Sequence, residues 1–189
     1  LFLDHSPELS FKVDLKPSSV TISDTTWNIK RASIVSDSAG MFFDSIMISR
    51  KDQYLVANGR LSDIPGDSLD FSFRNFNLAN LNFFTRKKDF EFQGRLNGES
   101  KLTGIKKNPL FFSSLRIDNM FINQVEFGNC FINSVWDNVK QSLNIDAEAQ
   151  RGTLTMLKIV GDYFPSQNGK MDFQISLDKL KTDIFNPFV

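Results

Sequence analysis

Catalysis by a triad, or zinc binding, needs histidine, and this chain has one, His5, beside Asp4 close to its first residue. A histidine so near a terminus is poorly placed to act as a base, because terminal residues are the least ordered. Without a second histidine or further cysteines it completes no zinc site. The single cysteine, Cys130, follows Gly128-Asn129 inside an apolar alternation and reads as a small buried hydrophobe rather than a nucleophile. One cysteine also excludes an intramolecular disulfide framework. The segment Gly161 to Met171 has the outline of a phosphate loop. Its glycines are too widely spaced, Met171 stands where Ser or Thr would hold magnesium, and strand-like alternation flanks both sides, so it reads as a hairpin. Gly94, Gly98 and Gly104 do not form the dinucleotide fingerprint.

Carboxylates are plentiful but dispersed. Asp70 lies between Leu69 and Phe71, Glu91 between two phenylalanines, and Asp146 and Glu148 among Ile and Ala. Alternation sends such acids to the face opposite the apolar one, so no two converge as a glycosidase pair would. The longest basic feature is Thr85-Arg86-Lys87-Lys88, followed at once by Asp89 and Glu91. With 22 Lys plus Arg against 22 Asp plus Glu, no net field draws the chain to nucleic acid or to an anionic membrane. The expectation is a protein without catalytic residues, cofactor or metal, whose function resides in a surface.

The elements that would build that surface are short period-two runs. Leu9 to Lys16 alternates and is stopped by Pro17-Ser18-Ser19; Val20–Ile22, Trp27–Ile29 and Ala32–Ile34 follow. Met41–Ser49 and Tyr54–Leu61 form a hairpin pattern about a polar break. Leu69–Phe73 alternates, whereas from Phe76 to Phe84 the apolar spacing widens to three or four, predicting one or two helical turns. Alternation returns at Phe90–Leu102. The runs Leu115–Ile117, Met120–Ile122, Val125–Phe127 and Phe131–Trp136 read as separate short strands. Val135, Val139 and Leu143 also fit a helical spacing, but the strand reading is preferred there. Thr153–Phe164 and Lys170–Leu177 flank Asn168-Gly169, the strongest short hairpin signal. Leu177, Leu180 and Ile184 predict a last helical turn. About fifteen short strands at such spacing imply a sandwich, a barrel or a long meander. No linker divides them, so residues 1–189 are read as one domain. Glycines inside strands, at 94, 98, 104 and 161, predict bulges or bends that curve the sheet.

Of the aromatic residues 20 are Phe, against two Trp and two Tyr. Surfaces that bind sugars or proteins favour Tyr and Trp, which carry a polar tip. Phe offers apolar area only, so a Phe-dominated β protein is building a core or lining something apolar. No apolar run approaches the ~20 residues needed to cross a bilayer as a helix. Leu1 to His5 lacks the basic start and long apolar middle of a signal peptide.

Taken in order along the chain, Ile22 to Ile29 with Trp27, Asp52-Gln53 to Ser62, Pro65-Gly66-Asp67, Phe76-Asn77-Leu78, Gly94 to Gly98 with Leu102-Thr103-Gly104, Leu115–Ile117, Phe127-Gly128, Trp136-Asp137, Gly161-Asp162-Tyr163 with Pro165, and Asn186-Pro187-Phe188 resemble the C-terminal region of the TamB family. These are inner-membrane-anchored subunits of the translocation and assembly module of Gram-negative bacteria, grouped with the AsmA-like β-groove lipid-transfer proteins. The likeness rests on order and spacing over nearly the whole length, not on a short invariant motif.

What the resemblance implies is a long sheet curled into an open trough, apolar inside and polar outside, as one periplasmic segment excised from a much longer anchored protein. It further implies shielding of phospholipid acyl chains in transit between inner and outer membrane, and support of outer-membrane protein biogenesis beside a β-barrel partner. Alternation then assigns Phe71, Phe73, Phe90, Phe92, Leu115, Ile117, Val125, Phe127, Leu143, Ile145, Ile159, Met171, Phe173 and Ile175 to the groove. Residues 118–124 are left out, because the apolar phase slips there and places Asn119 and Asn123 in the core register. Two other roles stand beside this one. The sheet edges could serve as a chaperone-like scaffold for nascent barrel strands, or the domain could be a surface adhesin or carbohydrate-binding sandwich, against which the shortage of Tyr and Trp counts.

Overall fold

The computed structural model describes residues 10–22, 25–82, 91–104 and 110–178. They form a single thirteen-stranded sheet whose pairings are all antiparallel. In chain order the strands are β1 (Phe11–Leu15), β2 (Ser18–Ile22), β3 (Thr25–Ile29), β4 (Ala32–Asp37), β5 (Gly40–Arg50), β6 (Gln53–Ser62), β7 (Leu69–Asn77), β8 (Phe92–Thr103), β9 (Leu110–Ile122), β10 (Val125–Asp137), β11 (Ser142–Arg151), β12 (Leu154–Phe164) and β13 (Lys170–Leu177). From β5 to β13 each strand pairs with its neighbours in sequence. At the other margin β5 is shared, one half bonded to β4 and the other to β3, with β1 outside β4 and β2 outside β3.

Strands are fewer and longer than the alternation alone predicts. Leu115–Ile117 and Met120–Ile122 belong to one strand, β9, and Val125–Phe127 and Phe131–Trp136 to another, β10. The slip at 118–124 is a bulge followed by a tight turn. Asn119 has φ 50°, the β9–β10 register breaks between the Gly128–Met120 and Cys130–Ile117 pairs, and Asn123-Gln124 turn the chain with φ 47° and 67°. Met120 and Ile122 therefore pack on the apolar core. The helical turn expected after Phe76 is a 3-10 turn over Leu78–Leu81, opened by the Asn77 side chain accepting the Ala79 N–H. Asn168-Gly169 close the last hairpin with φ 54° and 72°. The helical turn predicted beyond Leu177 lies outside the described residues.

The same bulge recurs. Ser45, Asn75 and Asn119, on β5, β7 and β9, all have φ near 50°. Each donates its backbone N–H to an asparagine carbonyl on the following strand: Asn58 at 3.0 Å, Asn97 at 2.8 Å and Asn129 at 3.2 Å. A bulge adds local twist and bends its strand, so one per hairpin curves the sheet progressively. The curl is measurable. Trp27 on β3 and Phe76 on β7 have β5 and β6 between them, three strand spacings or about 14 Å in a flat sheet, yet their rings lie 5.6 Å apart.

Candidate functional site: one apolar face of the sheet

Direct pairing places residues on one face, so the register defines rows across the sheet. One row runs Ile29, Ile48, Leu55, Phe73, Gly98, Leu115, Ile132, Ala147, Ile159, Ile175. It crosses ten strands without a polar side chain, over nine spacings of ~4.8 Å, an arc of roughly 43 Å. Next to it, Phe76, Leu96, Ile117, Cys130, Ala149, Leu157 and Leu177 form a second row. The opposite face is mixed but mainly polar, its corresponding row running Met47, Val56, Ser72, Glu99, Ser114, Asn133, Asp146, Val160 and Gln174.

The groove residues assigned from alternation, all except Phe90, fall on this face or pack against its core. Phe90 lies outside the described residues. Their burial differs sharply. Ile117, Phe127 and Leu143 are buried, whereas Met171 and Ile175 are 67% and 61% exposed. Trp27, Phe76, Leu96, Cys130 and Met156 are buried in the same cluster and are absent from the sequence assignment. Alternation alone could have found Leu96, whose register with Gly98 and Leu102 is clean. Met156 is different, since it lies where the β11–β12 register shifts between Ala149 and Gln150. Among the described residues no second layer of structure covers this face. The curl itself buries the middle, and among the described residues nothing covers the margins, where Phe11 and Val13 are exposed on β1 and Met171, Ile175 and Leu177 on β13.

One polar stripe interrupts the apolar face. Ser100, Ser113 and Ser134 stand directly opposite one another on β8, β9 and β10, all buried. Ser134 Oγ donates to the Phe111 carbonyl at 2.7 Å and lies 2.9 Å from Ser113 Oγ, so Ser113 is the donor of that pair; Ser100 Oγ has no partner. In the same row Phe71 stands opposite Ser100 and Ile145 opposite Ser134.

Electrostatics reinforce the division of faces. Burial pushes the Cys130 thiol up to about 11, which keeps it protonated and unreactive. The ionic groups sit on the polar side. Lys140, Ser142 and Asn144 bond the Asp162 carboxylate, and the Lys140 bond chiefly lowers its pKa. Arg60 does the same for Asp37. A depression of about 600 Å3 on the polar face is lined by Val56, Asn58, Asp70, Glu99, Lys101 and Phe112 among others. Its charged residues are Asp70, Glu99 and Lys101, and Lys101 lies 3.8 Å from Asp70. Among the described residues no group of three His, Cys, Asp or Glu could hold a metal ion, and no helix is long and apolar enough to cross a membrane.

The fold and this face define a class: an open, curled antiparallel meander that is apolar on one side and polar on the other. Comparison with family models, with curated proteins and with solved structures finds no match to this chain.

Proposed function

We propose that this chain is a TamB-like, periplasmic β-trough that shields lipid acyl chains during phospholipid transport between the two membranes of a Gram-negative envelope, beside a β-barrel partner. The observation that supports the reading most is the ten-strand apolar row on a sheet that does not close. A closed core would hide such a row completely, whereas here its margin at Ile175 is exposed. Each methylene withdrawn from water contributes about 0.8 kcal/mol, and an acyl chain spanning half of a ~30 Å hydrocarbon core fits well within a 43 Å arc. Such binding needs shape and apolarity rather than polar contacts, and the headgroup stays in water along the open seam. The test is native mass spectrometry of gently purified protein, with photocrosslinkers at Phe92 and Phe173 in cells. Co-purifying phospholipid and lipid adducts at both positions are expected. Lipid-free protein that takes up no phospholipid from vesicles would overturn the reading.

A further inference from the structure

The two margins of the sheet are unequal. At one, β1 and β2 are five residues each and belong to separate pairings, whereas the other is a single uninterrupted strand, β13, of eight residues. The Asp178 N–H bonds back to the Met156 carbonyl at 3.1 Å. By the two-residue period of an antiparallel ladder, even-numbered positions of β13 turn their backbone groups to β12, and Met171, Phe173, Ile175 and Leu177 present theirs to the far edge, which no strand among the described residues pairs. Edges of this kind are ordinarily blunted by proline, a bulge or an inward-pointing charge. β13 has none of these, for its register with β12 is unbroken and Asp172, Gln174 and Ser176 occupy the polar face.

We propose that β13 pairs antiparallel with β13 of a second copy of this chain, about a two-fold axis through Gln174. Direction selects the strand. The path from β1 to β13 contains eleven strands in antiparallel succession, so its two edges run the same way and head-to-tail addition would give a parallel pair. Inverting one copy to make β1 antiparallel to β13 would set the apolar face of one copy beside the polar face of the other. Rotation about the sheet normal alone keeps the pairing antiparallel and the apolar face continuous, and it brings β13 to β13.

Charge selects the register. With the axis at Gln174, Lys170 of each copy lies opposite Asp178 of the other, and Asp172 lies opposite Ser176. On the apolar face Met171 meets Leu177, and Phe173 meets Ile175, covering the exposed side chains of Met171, Ile175 and Leu177. Moving the axis to Phe173 removes both ion pairs, and moving it to Ile175 sets Asp172 against Asp178. The contact consumes the one long edge found among the described residues, and a two-fold pairing of this kind closes at two copies.

Gln174→Cys tests the axis, since position 174 is exposed and would face its own copy in a non-hydrogen-bonded pair with Cβ atoms about 4.5–5.5 Å apart. Mild oxidation should give a disulfide-linked dimer. Asp172→Cys, whose two copies would stand about 13 Å apart along the strands, should not, and buried Cys130 stays out of the reaction. In sedimentation equilibrium the unmodified chain should show a monomer–dimer equilibrium. Lys170→Asp should weaken it about tenfold, and adding Asp178→Lys should restore it. A monomer at every concentration, equal crosslinking of the two cysteine variants, or failure of the charge exchange to restore association would each overturn the proposal.

Discussion

Replacing Gly98 with alanine tests the curl at one of its close backbone approaches. Gly98 lies on β8 between Phe73 and Leu115 on the apolar face, with φ 118°. A Cβ there would sit 2.2 Å from the Ser114 carbonyl oxygen and 3.0 Å from the Leu115 Cα. Ordinary contact needs roughly 1 Å more, so either β9 moves away or the backbone of β8 rotates. Strain at this φ costs about 1–3 kcal/mol for a residue with a side chain. Loss of the adjacent ladder hydrogen bond adds about 1 kcal/mol, giving a total near 3 kcal/mol. Gly152→Ala is the control. Its φ of 63° is also left-handed, but nothing lies within 4 Å of the added Cβ, so only about 1 kcal/mol is expected. Urea unfolding followed by the fluorescence of buried Trp27 reads the difference. With a slope of about 2 kcal/mol per molar, Gly98→Ala should lower the midpoint by about 1.5 M and Gly152→Ala by about 0.5 M. Equal shifts for the two variants would refute the close approach of β8 and β9.

Asn97→Ala removes the carbonyl that accepts the Asn75 N–H at 2.8 Å, leaving a bulge donor unpaired, and should cost about 1–2 kcal/mol in the same urea assay. A loss below 0.5 kcal/mol on the order expected for a neutral surface change would show that the asparagine does not hold the bulge. The Asp162 carboxyl is held below its ordinary value of 3.8, first by the hydrogen bond from Lys140. Its folded-state pKa is depressed, so its contribution is present above pH 3.8 and lost as pH falls through the folded value. Lys140 is raised above 10.5, so its contribution is present below that pH and lost as pH rises through the folded value. Asp162→Asn should therefore lower the melting temperature at pH 7 and flatten its decline on acidification, and parallel melting-versus-pH curves for the two proteins would contradict this.

The all-β class, the central hairpins and the 3-10 turn were legible because they depend on local period and on turn residues such as Asn168-Gly169. So was the facing of Phe71, Phe73, Leu115 and Ile117, which needs only an uninterrupted alternation. Illegible positions cluster at bulges. Met120 and Ile122 look out of phase because Asn119 adopts a left-handed conformation that inserts one residue, and Asn reads as an ordinary polar residue until its partner Asn129 is known. Strand order at the first margin was equally hidden. That β1 bonds β4 across the intervening β2–β3 hairpin depends on contacts distant in sequence, which no period records.

The succession of β5 to β13, in which neighbours in space are neighbours in sequence, has a mechanical consequence. Tension applied along the chain loads such a ladder one rung at a time, as in opening a zip, instead of shearing whole strands together. From the β13 side the molecule therefore yields in successive strand-sized steps at low force, and refolds by short-range closures that form quickly. At the opposite margin β5 is gripped by β3 and β4 together, so two ladders must part before it is freed. The protein is compliant from one end and braced at the other.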